Sequence, residues 1–325
     1  MIIALQVVGG LVLLYFGGEH LVRGAVELAH RSGVSPLVIG LTVIACGTSA
    51  PELVVCLIAA LDGAPGIAVG NVVGSNIANI LLVLGAAALV YPITHRLHSL
   101  RRDGVVAIGA TVLFVAVCLT GTLRLWHGLV MLFFLGAFLF QSYWTDRRNR
   151  AVATAHEKEI AELEKAHEAG WIMLVRIFGG LAGLLIGSEL LVDGSVAVAR
   201  SVGVSDTVIG ITLVAVGTSL PELATAMIAA THRHTDVALG SVLGSNIFNL
   251  LGIMGVVAVV TPVSVPPEIA AFDIWVLLAV TVGFILLGLA VRRIGRPLSL
   301  LFLMAYAAYI VLQFSGLTGL AAPAA

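Results

Sequence analysis

From Ile2 onward the chain runs in long apolar blocks separated by short polar breaks. Ten blocks stand out: Ile2–Ala29, Pro36–Ala60, Gly66–Tyr91, Gly104–Thr120, Trp126–Trp144, Trp171–Ala199, Thr207–Ala230, Val237–Thr261, Ile269–Val291 and Leu298–Leu320. A helix crosses a bilayer in roughly 20 mostly apolar residues, and each block is of that order. The pattern therefore predicts an all-α integral membrane protein with ten transmembrane helices. The first block lacks a basic leader and a small-residue cleavage site, so it is expected to be a span rather than a removed signal peptide. The break at 145–170 is the only sizeable polar one. Within it Ala155–Glu168 is rich in Glu, Lys and Ala, with Ile160 and Leu163 on one face. That spacing predicts a short surface helix in a cytoplasmic tether, with His156 and His167 solvated.

The apolar pattern repeats with a fixed offset of 170 residues. Gly47-Thr48-Ser49-Ala50-Pro51-Glu52 returns as Gly217-Thr218-Ser219-Leu220-Pro221-Glu222, and Gly74-Ser75-Asn76-Ile77-Ala78-Asn79 as Gly244-Ser245-Asn246-Ile247-Phe248-Asn249. Nine of fifteen positions from Gly40 to Val54 match Gly210–Ala224, and nine of sixteen from Gly70 to Gly85 match Gly240–Gly255, without a gap. Apolar spans resemble one another by chance, but polar residues in register do not, so the chain is an internal duplication. It divides into a first five-helix repeat (1–144, motif 40–85), a connector (145–170) and a second five-helix repeat (171–325, motif 210–255). Five is odd, so the second copy enters the membrane from the opposite side. This is the inverted-topology repeat, which places a substrate site near the midplane where the halves meet.

Composition agrees: 59% hydrophobic and 11% charged residues exclude an ordinary soluble domain, which carries about 25% charge. The placement of positive charge gives orientation. With the N-terminus outside, thirteen basic residues fall in cytoplasmic segments (Arg31, Arg96, Arg101, Arg102, Arg147, Arg148, Arg150, Lys158, Lys165, Arg233, Arg292, Arg293 and Arg296), against only Arg124 and Arg200 outside. That bias predicts N-out and C-out, independently of the repeat count. Cys46, Cys56 and Cys118 all lie within spans and read as small packing residues.

The chemistry sits at the two repeated phrases. An ionisable residue inside a span is expensive and marks function by default, and Glu52 and Glu222 have no snorkelling route from mid-span. Gly47 and Pro51 interrupt the helix, and proline frees carbonyls near Ala45 to Gly47. Such carbonyls are tolerated at membrane depth only where they face protein or a cavity. Ser49 and Glu52 are three apart, and Ser75 and Asn79 four apart, each pair on one helical face. With Thr48, and with Thr218, Ser219, Ser245 and Asn249 in the second copy, the phrases supply two carboxylates, two amide oxygens and several hydroxyls. Hard cations such as calcium take six to eight oxygen ligands. Neither motif contains His or Cys, which argues against zinc, copper or iron. Two carboxylates balance one calcium, two sodium ions or two protons, the basis of an exchange. Away from the motifs, Thr42 is expected to bond back to its own helix. Glu19 and Glu189 are read as snorkelling or pairing with Arg23, or as serving gating or ion entry, and Arg23 matches Asp193 in the repeat, so the halves differ in charge there.

On these residues the chain resembles the cation/calcium exchanger superfamily, specifically prokaryotic sodium/calcium exchangers, over essentially its whole length. The resemblance implies Glu52 and Glu222 as central calcium ligands. It also implies Thr48, Ser49, Ser75, Thr218, Ser219 and Ser245, with the carbonyl of Ala215, as completing calcium and sodium sites. It further implies that the Gly-rich first and sixth spans slide across a stationary core. One position departs: Asn249 stands where relatives commonly carry Asp, which limits the site charge to −2 and argues against potassium co-transport. The leading expectation is a calcium/sodium antiporter in the cell (plasma or inner) membrane, working as a monomer by alternating access, with no cofactor and no nucleic acid partner. The rival is a calcium/proton antiporter in which Glu52 and Glu222 carry the protons; a passive cation channel is a third. No His-Glu-x-x-His, Gly-x-Ser-x-Gly or Ser paired with a membrane Lys suggests an enzyme.

Overall fold

A computed structural model describes residues 2–94, 97–157, 170–201, 217–291 and 293–314. The described chain is almost entirely helical. The first repeat contributes α1 (Ile2–Ser32), α2 (Pro36–Thr48), α3 (Ala50–Leu61), α4 (Pro65–Val90), α5 (Leu97–Cys118) and α6 (Leu125–Glu157). The second contributes α7 (Gly170–Ser201), α8 (Leu220–Thr231), α9 (Thr235–Val260), α10 (Ile269–Ala290) and α11 (Arg296–Phe314). Seven of these (α1, α4, α6, α7, α9, α10 and α11) are long and apolar enough to cross a membrane, and α2 with α3 forms an eighth crossing bent by 44°. α5 carries Arg101, Arg102 and Asp103 near its start. Residues 202–216 lie outside the described residues, as do 158–169, so the tether helix expected over Ala155–Glu168 is described only as far as Glu157.

Local chemistry explains where the helices begin. Ser35 caps α2, its hydroxyl accepting from the Val38 N–H at 3.4 Å, and Pro36 follows in the first turn. There a missing N–H costs nothing and a side-chain oxygen satisfies an otherwise orphaned donor. Pro51 and Pro221 play the same part for α3 and α8. The proline of each repeated phrase thus starts a new helix rather than kinking an old one.

The motif helices α4 and α9 are the most buried of the long apolar helices, while α11 is covered least. Large apolar side chains such as Leu5, Phe133, Phe140, Trp171 and Val311 point outward, as lipid-facing residues do. Close approach of backbones makes the buried centre possible. α2 crosses α9 where a Cβ on Gly240 would stand 2.5 Å from the Leu37 carbonyl oxygen, and one on Gly244 2.5 Å from that of Leu41. Without a hydrophobic drive between helices in lipid, such small-residue contacts supply the packing.

α1 and α7, equivalent under the 170-residue offset, pack along each other. A Cβ on Gly10 would meet the Leu191 nitrogen at 2.7 Å, and one on Gly17 the Leu184 nitrogen at 2.7 Å. Gly180 faces Gly17 and Gly187 faces Gly10 in return. As the number rises along α1 it falls along α7, so the two equivalent helices run antiparallel. Two short ribbons join the repeats: β1 (Ile93–Thr94) pairs antiparallel with β4 (Arg293–Ile294), and β2 (Thr122–Leu123) with β3 (Val263–Ser264). β1 and β3 are themselves equivalent by the offset, so the two halves exchange the same contact.

Candidate functional site

The two helix breaks share one backbone conformation. Ser49 has φ −86° and ψ 9°, and Ser219 has φ −92° and ψ 6°. This sparsely populated bridge region is where many active-site residues sit. The break turns Thr48, Ser49 and Glu52 inward, all fully buried, and Ser219 and Glu222 likewise, with Thr218 half-buried beside them. The expectation of freed carbonyls near Ala45 to Gly47 holds only in part. The Ala45 oxygen still accepts the Ser49 N–H at 3.1 Å. In the second repeat the Gly217 oxygen accepts the Ser188 hydroxyl of α7 at 2.7 Å. Ala215 lies outside the described residues.

The two breaks meet. The Ser49 hydroxyl donates to Glu222 Oε1 at 2.9 Å across the repeat boundary. Thr48 and Ser245 also lie within electrostatic reach of the Glu222 carboxylate, and Glu52 and Glu222 act on each other as like charges. The Thr48 hydroxyl also donates to the Ile44 carbonyl of its own helix at 3.1 Å. Ser75 and Asn79 on α4, and Ser245 and Asn249 on α9, are buried as well.

What marks this centre is unmet polar capacity. Glu52 Oε2, Glu222 Oε2, Ser219 Oγ, Ser245 Oγ, Asn79 Oδ1 and both amide atoms of Asn249 are buried without a hydrogen-bond partner among the described residues. Buried polar groups are almost always satisfied, and a buried carboxylate must be compensated. Among the described residues no group of three His, Cys, Asp or Glu gathers at metal-holding distance. The donors are therefore two carboxylates ringed by neutral oxygens, a set that suits a hard cation cargo.

Two features escaped the sequence. Asn79 opens a π-helical turn, Asn79–Val83, and Asn249 sits in another, Phe248–Ile253. Such bulges recur at functional sites because the wider turn redirects a side chain. Asn76 and Asn246 brace the centre: the Asn79 amide donates to Asn246 Oδ1 at 3.1 Å, and the Asn246 amide donates to the Asn76 carbonyl at 3.1 Å. Asn76 and Asn246 stand in register in the repeated phrase, which is their signal in the sequence. Thr42 bonds back to the Val38 carbonyl at 2.7 Å as expected, and Glu19 pairs with Arg23 at 2.5 Å.

Comparison with known proteins gives the same picture. The family model described as sodium/calcium exchanger protein matches residues 2–144 and 172–315. The chain is 38% identical over 325 residues to the putative antiporter CaxA of Alkalimonas amylolytica, covering 97% of this chain and 99% of that one. It is 34% identical over 338 residues to the sodium/calcium exchanger MaX1 of Methanosarcina acetivorans, covering 94% and 96%. A solved structure of the sodium-calcium exchanger NCX_Mj, soaked with sodium and calcium, superposes with a TM-score of 0.82 at 33% identity, covering 96% of this chain and 98% of that chain.

Proposed function

We propose that this chain, which belongs to the sodium/calcium exchanger protein family, exchanges calcium for sodium by alternating access at the centre formed by Glu52 and Glu222. Membership carries the coarse activity, antiport of calcium against another cation by a multi-pass membrane protein. The finer reading is carried by one observation: two buried carboxylates from opposite repeats, each with an oxygen that has no partner among the described residues, and Ser49 of the first repeat donating to Glu222 of the second.

Calcium between Glu52 and Glu222 would cancel both charges, with Ser49, Ser75, Ser219, Ser245, Asn79 and Asn249 among its neutral neighbours. Sodium would replace it using the same carboxylates and the duplicated hydroxyls, including Thr48 and Thr218. The bare centre, at −2, is costly to expose to the bilayer interior, so the halves reorient only when loaded. We read the chain as ten spans, N-out and C-out, in the cell membrane. The antiparallel α1–α7 pair supports the inverted arrangement. α1 packs along α8, whereas the equivalent packing of α7 on α3 is all but missing. On this topology α7 and α3 part on the outer side, so the molecule faces outward.

Purified protein in liposomes loaded with sodium, in sodium-free buffer, is the test, with radioactive calcium uptake as the readout. A parallel set carries a proton gradient and no sodium. Uptake driven by sodium alone supports the reading. Uptake driven by protons alone replaces it with calcium/proton exchange through Glu52 and Glu222.

A further inference from the structure

Glu19 lies inside the first span, outside the cation centre, and is nine-tenths buried. Its two oxygens serve different partners. Oε1 takes Arg23 Nη2 at 2.5 Å, four residues on in the same helix. Oε2 takes His232 Nε2 at 2.5 Å, and His232 belongs to the turn between α8 and α9. The second contact therefore crosses from α1 to the other repeat. It closes the seam along which α1 lies on α8, where a Cβ on Gly18 would stand 3.6 Å from that of Ile228.

The equivalent seam, α7 against α3, carries the opposite chemistry. Under the 170-residue offset the counterparts of Glu19, Arg23 and His232 are Glu189, Asp193 and Asp62. Three acids cannot form the pair that an acid and two bases form. The seam with the pair is closed, and the seam with three acids is the one that has parted. The sequence asymmetry and the packing asymmetry coincide.

We infer that Glu19 and His232 form a latch that holds α1 against α8 and so keeps this side of the molecule shut. The neighbouring charges fit this role. Arg23 lies on α1 beside the same carboxylate, and Arg233 turns away over the Tyr91 ring at 5.6 Å. His234 is pushed below the ordinary imidazole value by burial and by the charges of His232 and of His30 on α1. His232 is thus the member of this turn that meets an acid from α1. On the antiport reading, the latch must open before the centre can face the α8–α9 side; its geometry is testable without that reading.

The test reads the seam directly, with no ion flux. Gly18→Cys and Ile228→Cys are introduced together, since their Cβ separation fits a disulfide. Oxidative crosslinking of the full chain is followed by mass spectrometry of the linked peptide. Rates are compared with those of the same pair carrying His232→Phe, which keeps a ring and removes the group that meets Glu19. The expected ratio is about threefold, the scale of a half-exposed pair. With His232→Arg, which keeps a donor toward Glu19, the rate stays close to that with His232. A ratio near one for the Phe variant, or an Arg variant that behaves like Phe, overturns the latch. Failure of sodium-driven uptake with an intact crosslinking profile would overturn the antiport reading and leave the latch standing.

Discussion

The hydroxyl of Ser49 links the two halves of the cation centre, donating to Glu222 at 2.9 Å. Its removal leaves a buried carboxylate short of a donor, and a hydrogen bond to a charged group is worth about 1.5–3 kcal/mol. Ser49→Ala is therefore expected to weaken calcium binding by roughly 10- to 100-fold, read by calorimetry on purified protein. Unchanged affinity would mean that the bond belongs to packing and not to the centre. Glu52→Gln and Glu222→Gln keep the volume of the side chain and remove the charge, so calcium flux into liposomes should fall to background while the variants still elute as folded protein. Near-normal flux in either removes that carboxylate from the centre. Both acids were legible in the sequence, because a charge in an apolar block has no cheap explanation. Asn76 and Asn246 were not singled out: an amide that braces another amide leaves the same trace in a sequence as one that meets an ion. The partner is set by which helices cross, and only the folded chain supplies that.

At the scale of the helices, glycine placement decides which contacts are rigid. Gly17 touches the α7 backbone, while Gly9, just over two turns away, meets nothing within 4 Å among the described residues. Both are helical, where alanine is favoured over glycine by about 1 kcal/mol. Gly17→Ala forces a Cβ to 2.7 Å from the Leu184 nitrogen, an overlap that backbone cannot relieve without the helices moving apart. Overpacking of this kind costs about 1–3 kcal/mol, so Gly17→Ala should lower the thermal midpoint in detergent, and Gly9→Ala should hold or raise it. Equal shifts for the two would place the α1–α7 contact elsewhere. The order of the long apolar helices could be read from hydropathy, and the start of the second span from Pro36. The π turns at Asn79 and Asn249 could not, since one extra residue in a turn barely disturbs an apolar period. The same limit hid the fate of the freed carbonyls: Ser188 reaches Gly217 from a helix 29 residues away, a contact no local pattern encodes.

For the whole molecule the decisive quantity is the charge that moves per cycle, and it follows from one side chain. Asn249 is neutral, so the centre carries at most the charges of Glu52 and Glu222. One calcium brings that sum to zero, and so do two sodium ions. A third sodium would travel as an uncompensated positive charge through a region where an unpaired ion costs several kcal/mol. Charge balance therefore predicts electroneutral exchange of two sodium ions for one calcium. The check is the equilibrium calcium distribution in liposomes at fixed sodium gradient, under a potential set by potassium and an ionophore. An unchanged distribution supports two sodium ions. A shift worth about 2.3 kcal/mol, roughly 50-fold, for each 100 mV would mean that one charge moves and that a third sodium is held by neutral oxygens alone. Asn249→Asp sharpens the comparison by adding a third carboxylate. Its charge must be met by a further sodium ion or by a proton, so coupling or pH dependence should change. If neither does, Asn249 lies beside the ion path without lining it, and the centre is closed by the two repeated glutamates and their hydroxyls.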